Sequence, residues 1–370
     1  MQIQREEEKK QRLLEKKVKD VIVQYEKRRL VEVPYTASLA DTMNALMANR
    51  IVAVPVAAPP GQWIGAGGSM IVESDKQTGT VRKHYIGMVT MLDVLAHIGG
   101  DGDGGVHEEM EDFDKKMSVP VSSIIGHCLE SLSLWTLNPH TNILDCMEVF
   151  SKGIHRALVP IDSQVENVAG VELIESASSY RMLTQMDVVK FLKGHERELR
   201  GILSRTVKEA GALTDTVFAI TDKAKVIDAI KCMRTSSLVA VPIVQSSKHI
   251  QEDHSLLVNG KERKLVGTFS ATDLRCCPIS RMRSCLNLGV VEFLEKLSTT
   301  PLHEASGLRS SIRDPIVCSG ESLMGEAIDK VVTYSVHRVW IVDHLGSLHG
   351  LVSLTDIIRV IRVWLLTEPA

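Results

Sequence analysis

A hydroxyl side chain followed three positions later by an aspartate occurs four times along this 370-residue chain, each time after an apolar run. A carboxylate at a helix start can accept both hydrogen bonds of a ribose cis-diol, and the nearby hydroxyl can bind ribose or phosphate. The same side chains can instead cap the helix by accepting hydrogen bonds from its open backbone N–H groups. Both interpretations stay open for the four pairs, which are Thr90 and Asp93, Thr184 and Asp187, Ser270 and Asp273, and Ser353 and Asp356.

These aspartates lie 94, 86 and 83 positions apart, and such a near-constant period predicts one structural unit built four times. The bare tetrapeptide is weak evidence, because Ser38 to Asp41 and Ser311 to Asp314 match it without the preceding apolar run. The context is therefore what makes the four copies informative.

Each unit also has an amphipathic stretch followed by a β-branched run, which predicts a helix and then a buried strand. The distance from the first apolar residue of the helix to a Pro or Trp of the strand is 16 positions in three units, namely Leu39 to Pro55, Val226 to Pro242 and Met324 to Trp340. The second unit needs 17 positions from Ile143 to Pro160, which predicts one extra residue before its strand. Two strands and two helices cannot close a core alone, so we expect α/β units that pair sheet against sheet into two modules.

Phosphate groups near the aspartates would need cationic partners, for which Arg and His are well suited. The candidates are His155-Arg156 and His337-Arg338 at the strand starts, together with Arg50 and Lys193. His337 lies 13 residues after its helix start and His155 lies 12 after its own, so the second pair is expected to be out of register. Solvated cations at a strand edge are the alternative.

Composition narrows the class of protein. A formal net charge of -3 argues against nucleic acid as a partner. The start of the chain has no signal-peptide core and no apolar run is long enough to span a membrane, so we expect a protein of the cytoplasm or nucleus without a membrane partner. Seven cysteines without a CxxC pair favour reduced thiols. With no nucleophile elbow or kinase loop, the chain is expected not to be an enzyme.

Two segments outside the units carry separate predictions. The alternating charges of Arg5 to Arg28 favour an exposed N-terminal helix. The run Leu30 to Val33 predicts a short strand, which either belongs to the first unit or extends the sheet of a partner.

Phrases such as Gly87-Met-Val-Thr-Met-Leu-Asp93 and His337-Arg-Val-Trp-Ile-Val-Asp343 resemble the CBS domain. Four copies in tandem resemble the γ regulatory subunits of AMP-activated and sucrose-nonfermenting-related protein kinases, most of all the plant γ-like type. The resemblance implies an α/β (α+β) fold in which four tandem CBS repeats form two Bateman modules in a pseudo-symmetric disc. The boundaries drawn on it are a charged N-terminal helix at 1–19, repeats at 20–99, 117–195, 214–284 and 311–370, and linkers at 100–116 (Gly-rich and acidic), 196–213 and 285–310.

The resemblance also implies a function. A non-catalytic subunit of a Ser/Thr kinase heterotrimer would bind AMP, ADP or ATP between paired repeats and couple energy status to kinase activity, with no metal. Its partners would be a catalytic α-type subunit and a β-type scaffold subunit. Ribose would be bound by Asp93, Asp187, Asp273 and Asp356 with the hydroxyls of Thr90, Thr184, Ser270 and Ser353, and phosphate by Arg50, His155, Arg156, Lys193, His337 and Arg338. The alternatives are a nucleotide-independent CBS scaffold and an adenosyl-ligand sensor that regulates another enzyme.

Overall fold

The computed structural model describes residues 11–58, 62–64, 70–72, 85–99, 109–128, 134–161, 180–248, 251–277, 279–299 and 314–367. The strands are β1 (Val33–Pro34), β2 (Ala53–Ala57), β3 (Gln62–Ile64), β4 (Met70–Val72), β5 (Tyr85–Thr90), β6 (Trp135–Thr136), β7 (Arg156–Pro160), β8 (Tyr180–Thr184), β9 (Phe218–Thr221), β10 (Ala240–Val244), β11 (Val258–Asn259), β12 (Leu265–Ser270), β13 (Val317–Cys318), β14 (Arg338–Val342) and β15 (Leu348–Ser353). The helices are α1 (Val18–Gln24), α2 (Leu39–Ala48), α3 (Met91–Gly99), α4 (Glu109–Ser118), α5 (Ile143–Ser151), α6 (Gln185–Lys193), α7 (Arg200–Leu203), α8 (Val226–Thr235), α9 (Ile279–Leu286), α10 (Val290–Ser298), α11 (Met324–Thr333) and α12 (Leu354–Thr367). Short 3₁₀ helices form at Val121–Ile124 and Asp273–Cys276.

Each repeat is built on a small sheet in which three strands follow the same order, and in repeat 3 the strand β11 pairs antiparallel with β9 as a fourth strand. A short leading strand runs parallel to the first long strand, which pairs antiparallel with the second long strand, as in β1-β2-β5, β6-β7-β8, β9-β10-β12 and β13-β14-β15. The helix between the leading strand and the first long strand buries the predicted apolar face, for example Leu39, Met43 and Leu46, each fully buried. In repeat 1 the leading strand contains Val33, which pairs with Val56, so the run Leu30 to Val33 ends in an internal strand of this chain.

The register of the long strands is the same in all four repeats. The first residue of the first strand faces the Ser or Thr of the motif in the pairs Ala53 and Thr90, Arg156 and Thr184, Ala240 and Ser270, and Arg338 and Ser353. Pro160 therefore corresponds to Ala57 and not to Pro55, and the predicted extra residue before the second strand is wrong. The spacing differs because helix α5 has 9 residues whereas α2, α8 and α11 have 10.

The turn from helix to strand also repeats. Three residues before the first long strand of each repeat, the backbone takes a left-handed conformation, with φ of 53° at Arg50, Ser237 and Ser335 and 89° at Gly153. This is the usual way to end a helix, and glycine adopts it most readily. The equivalence of the four turns places the residues that follow them at matching positions.

Two apolar cores join the repeats by their helices. One contains residues of repeats 1 and 3, including Leu95 and Ile230, and the other contains residues of repeats 2 and 4, including Met147 and Ile358. A third cluster around Trp340 joins the sheets of repeats 3 and 4. The rings of Tyr85 and Tyr180 meet edge to face at 5.8 Å and connect the sheets of repeats 1 and 2. The chain therefore closes into a ring in which each repeat touches one neighbour through its sheet and another through its helices.

The N-terminal segment differs from its prediction. Leu13, Val18 and Val21 are fully buried in the core of repeats 2 and 4, so the prediction of an exposed helix is wrong for the part of it that the structure describes. The apolar residues among these charges form a narrow stripe that packs on repeat 2. There the Val18 N–H donates to the Thr141 carbonyl at 2.9 Å. Within the predicted Gly-rich linker, residues 109–116 belong to helix α4.

The segment that precedes repeat 1 in the chain pairs with repeat 2, and the segment that follows repeat 1 pairs with repeat 1 itself. Lys17 forms an isolated antiparallel bridge with Asn142 of repeat 2, while Pro120, which follows repeat 1 in the chain, forms such a bridge with Ser38 of repeat 1. The chain must consequently cross from repeat 2 to repeat 1 between helix α1 and strand β1. This crossing runs along a cavity at the junction of the four repeats.

Replacing Gly350 by Ala should lower the free energy of unfolding by about 1–3 kcal/mol, the usual cost of overpacking. A Cβ atom at Gly350 would lie 2.5 Å from the Thr214 carbonyl oxygen. Thr214 cannot easily retreat, because its N–H donates to Leu351 O at 3.0 Å and its carbonyl accepts from Leu351 N–H at 2.9 Å. Urea unfolding would measure the loss. Gly320→Ala is the control, since nothing lies within 4 Å of its Cβ position, and equal stability of the two variants would contradict the prediction.

Candidate functional site

A cavity of about 240 Å³ lies where the four repeats meet. Each repeat contributes to its wall through the start of its first long strand or the start of its motif, and the N-terminal crossing segment supplies a further part. The described lining residues are Lys27 to Val31, Arg50 to Ala53, His155, Arg156, Met182, Thr184 to Met186, Val239, Arg275, His337, Arg338 and Ser353 to Thr355.

The cavity is strongly cationic. Seven of its described lining residues carry a formal positive charge, namely Lys27, Arg28, Arg29, Arg50, Arg156, Arg275 and Arg338, and none of the described lining residues is Asp or Glu. Several like charges around one enclosed space raise its positive potential, which favours an anion with more than one charge. Arginine forks are especially suited to phosphate oxygens.

The two His-Arg pairs reach the cavity from equivalent backbone positions. The His155 carbonyl accepts from Gln185 N–H at 3.1 Å, and the His337 carbonyl accepts from Leu354 N–H at 3.0 Å. The expectation that the second pair is out of register is therefore wrong, because the single-residue difference lies in helix α5 and ends before the strand. Val52 and Val239 hold the corresponding positions in repeats 1 and 3 and line the same cavity.

The protein environment alters the protonation of these groups. Burial and the neighbouring Arg338 lower the pKa of His155 to about 4, and burial together with Arg156 and Arg338 lowers the pKa of His337 to about 3. His337 is exposed to water in the cavity, and this water weakens the effect of burial on its pKa. Burial lowers the pKa of Arg156 and Arg338 to about 10. At neutral pH the arginines are thus charged, whereas the histidines are neutral and can donate or accept a hydrogen bond.

Acidification should destabilise the fold through His155. Its pKa in the folded state lies below the ordinary value of 6.5, so between these two values the unfolded chain binds a proton that the folded chain does not. The free energy of unfolding then falls with decreasing pH by at most about 1.4 kcal/mol per pH unit, and less where water in the cavity screens the charge. Asp273 acts in the opposite sense, because burial raises its pKa to about 7.

A variant isolates the histidine contribution from the other titrating groups. Urea unfolding of His155→Gln between about pH 7 and pH 5 should show a shallower loss of stability than the wild-type chain. His140→Gln, at an exposed position, should keep the wild-type slope. A His155→Gln slope as steep as that of the wild type would contradict the assignment.

All four motif aspartates cap their helices. The backbone N–H of the motif Ser or Thr donates to the carboxylate at 2.8 Å for Asp93, Asp187 and Asp273 and at 3.1 Å for Asp356. The hydroxyl also donates to the carboxylate at Asp93, Asp187 and Asp356. The capping geometry considered as the alternative is therefore present in every repeat, and none of the four aspartates belongs to the described lining of the cavity.

The remaining contacts of the aspartates differ between repeats. Asp93 is fully buried, and its second oxygen accepts from the Cys128 backbone N–H at 2.8 Å, so a ribose could reach it only if that segment moved. Asp356 accepts from Arg359 at 3.1 Å. Asp187 accepts from Lys27 at 2.9 Å. Ribose binding by these carboxylates stays a prediction.

The other predicted site residues divide into two groups. Arg50, the two His-Arg pairs, Thr184 and Ser353 meet in the cavity, whereas Thr90 and Ser270 are not among its described lining residues. Lys193 is also outside that lining and forms an ion pair with Asp329.

Sequence reasoning missed Arg275 and the basic run Lys27 to Arg29. The run itself was a signal, but its position before the first repeat gave no reason to place it beside repeats 2 and 4. Arg275 follows Asp273 by two residues, and it reaches repeat 1, where it donates to the Arg50 carbonyl at 2.8 Å.

Comparison with known proteins places this geometry in a family. The CBS domain model matches residues 309–363. The chain is 56% identical over 366 residues to the SNF1-related protein kinase regulatory subunit gamma-like PV42a of Arabidopsis thaliana, covering 98% of this chain and 99% of that one. It is likewise 56% identical to PV42b of the same plant, covering 96% of this chain and 97% of that one.

More distant relatives agree with the fold. The chain is 21% identical to the bovine 5'-AMP-activated protein kinase subunit gamma-3, covering 86% of this chain and 52% of that protein. A crystal structure of a Methanocaldococcus jannaschii protein superimposes with a TM-score of 0.55 at 16% identity, covering 90% of this chain and 96% of that one. The predicted α/β fold of tandem CBS repeats is confirmed. By its near-full-length identity to the two Arabidopsis proteins, the chain belongs to the family of SNF1-related protein kinase regulatory subunits of the gamma-like type.

Proposed function

We propose that this chain is a non-catalytic γ-type subunit of a Ser/Thr kinase heterotrimer, and that it binds an adenine nucleotide with the phosphates in the central cavity. The observation that carries the proposal is a cavity with seven described cationic lining residues and no described acidic one. Burial lowers the pKa of two of the arginines, Arg156 and Arg338, and a bound anion would stabilise their charged forms.

The number of positive charges favours a triphosphate over a monophosphate. The nucleoside would extend towards the motif of repeat 4, because Ser353, Leu354 and Thr355 line the cavity and Asp356 follows them directly. The exposed fraction of the Asp356 side chain is 13%, so a small displacement of Arg359 would open it to a ribose. Asp356 is therefore the ribose acceptor that we propose for the nucleotide.

Regulation of a kinase requires that the nucleotide bind two states of the assembly with different affinity. The four repeats meet at the cavity, so a bound anion would contact several of them together and favour the arrangement that brings their cations closest. The partners of this proposal are a catalytic α-type and a β-type scaffold subunit, in keeping with the names of the relatives as kinase regulatory subunits.

A nucleotide-independent scaffold is the second candidate, favoured by the capping role of all four aspartates. Isothermal titration with ATP, ADP, AMP, adenosine, inorganic tripolyphosphate and S-adenosylmethionine separates the candidates. The proposed function predicts that ATP binds more tightly than AMP and that tripolyphosphate competes with it. No heat from any compound would support the scaffold, and S-adenosylmethionine binding without tripolyphosphate competition would support an adenosyl-ligand sensor.

A further inference from the structure

The crossing segment Lys27 to Val31 runs along the cavity between two repeats. Helix α1 before it packs in the core of repeats 2 and 4, and strand β1 after it pairs with β2 of repeat 1. Arg28 donates to the Asn49 carbonyl at 2.7 Å, and the Tyr85 hydroxyl donates to the Glu32 carboxylate. The segment is thus fixed at both ends and along its length, which holds Lys27 at a defined position.

Lys27 is bound to the motif aspartate of repeat 2. Its Nζ donates to Asp187 Oδ2 at 2.9 Å, and the exposed fractions of the two side chains are 22% and 11%. The same oxygen accepts from the Thr184 N–H at 2.8 Å and from the Thr184 hydroxyl at 2.7 Å. Three donors on one oxygen leave it little capacity for a ribose hydroxyl.

The position of Lys27 relative to the cavity matters as much as its hydrogen bond. Lys27 and Thr184 are lining residues, whereas Asp187 is not, so a ligand in the cavity meets the ammonium group before it meets the carboxylate. Lys27 and Asp187 are 160 positions apart in the chain, so this contact comes from the crossing segment and not from the local motif. The described contacts of the other three motif aspartates include no lysine.

We propose that the chain itself occupies the ribose position of repeat 2: Lys27 binds Asp187 and excludes a nucleoside from it. Repeat 2 then contributes to ligand binding through the residues that line the cavity, such as His155 and Arg156, and not through Asp187. This inference rests on the proposed function, because it concerns which repeats of a nucleotide-binding protein accept the nucleoside. It identifies Lys27 as a residue that sets the number of nucleosides bound.

The test counts AMP molecules per chain by equilibrium dialysis at saturating AMP. Lys27→Met removes the ammonium group and should raise the count by one, whereas the double variant with Asp187→Asn should return to the wild-type count because the ribose acceptor is lost. Lys27→Arg keeps the charge and should also keep the wild-type count. Lys193→Met removes a lysine outside the described lining of the cavity and controls for loss of charge in general.

An unchanged count in Lys27→Met with a folded circular dichroism spectrum would overturn the inference. Should that variant fail to fold, Lys27→Gln gives the same readout with a polar side chain. Failure of the proposed function is distinguishable: if the wild-type chain binds no AMP, the function fails, while an AMP site that appears on Lys27→Met alone would still support the exclusion. A gain that persists in the double variant would show that the new site does not use Asp187, and would overturn the inference.

Discussion

The variant R156Q/R338Q should bind ATP at least a hundredfold more weakly than the wild-type chain. Both arginines line the cavity from the first positions of equivalent strands, where their guanidinium groups can reach one bound phosphate chain. A hydrogen bond to a charged group contributes about 1.5–3 kcal/mol, and each 1.4 kcal/mol corresponds to about a tenfold change in affinity. Loss of two such contacts therefore lowers affinity by roughly 10² to 10⁴. Isothermal titration would measure it.

The stability of the ligand-free variant distinguishes a lost phosphate contact from damage to the fold. Circular dichroism and urea unfolding of the ligand-free variant would show whether it keeps the wild-type fold, and the expected result is a folded R156Q/R338Q chain that has lost ATP affinity. Glutamine keeps an amide donor for the Ala240 carbonyl, to which Arg338 donates at 2.9 Å. Lys193→Gln should leave ATP affinity unchanged, since Lys193 pairs with Asp329 instead. Wild-type ATP affinity in R156Q/R338Q would show that these arginines of the cavity do not bind the phosphates.

Trp340→Ala should lower the free energy of unfolding by about 3–5 kcal/mol, the usual loss when a large buried aromatic side chain is truncated. Trp340 is 2% exposed and packs with Ala219, Val244 and Leu348 where the sheets of repeats 3 and 4 meet. Its indole Nε1–H donates to the Thr268 hydroxyl at 2.7 Å across that junction. Urea unfolding would measure the loss. Among the described residues, the third cluster has no other side chain of comparable size.

Smaller substitutions at Trp340 and Thr268 separate the contribution of the hydrogen bond from that of apolar packing. Trp340→Phe keeps most of the apolar volume but loses the hydrogen bond, so it should cost about 1 kcal/mol beyond the lost area. Thr268→Val removes only the acceptor, and the double variant should be less unstable than the sum of the two single variants. Additive losses would show that the hydrogen bond does not couple the two sheets.

The sequence predicted the repeated unit because a 16-residue spacing recurred with the same residue types in three repeats. It did not predict the leading strands of repeats 2, 3 and 4, and those of repeats 2 and 4 have only two residues, such as Trp135 and Thr136, which is too few to show alternation. The sequence also matched Pro160 to Pro55, whereas the structure matches it to Ala57. Proline is compatible with several positions of these strands, and the structural equivalence rests on hydrogen-bond register, which spacing to a single residue type does not determine.

The candidate site was only partly predictable. His155, Arg156, His337 and Arg338 could be found because they stand at strand starts within the repeat. Lys27 reaches the cavity through the exchange of segments between repeats 1 and 2, a tertiary arrangement that leaves no local pattern. The aspartates were correctly located at helix starts, but the sequence could not decide between capping and ligand binding, since both use the same atoms.

A crystal structure of the chain grown with ATP would show whether phosphates are held at the junction of the four repeats. We expect electron density for the triphosphate within hydrogen-bond distance of the Arg156 and Arg338 guanidinium groups, with Lys27 still on Asp187. Well-ordered ATP elsewhere on the protein, with solvent alone between these arginines, would contradict it.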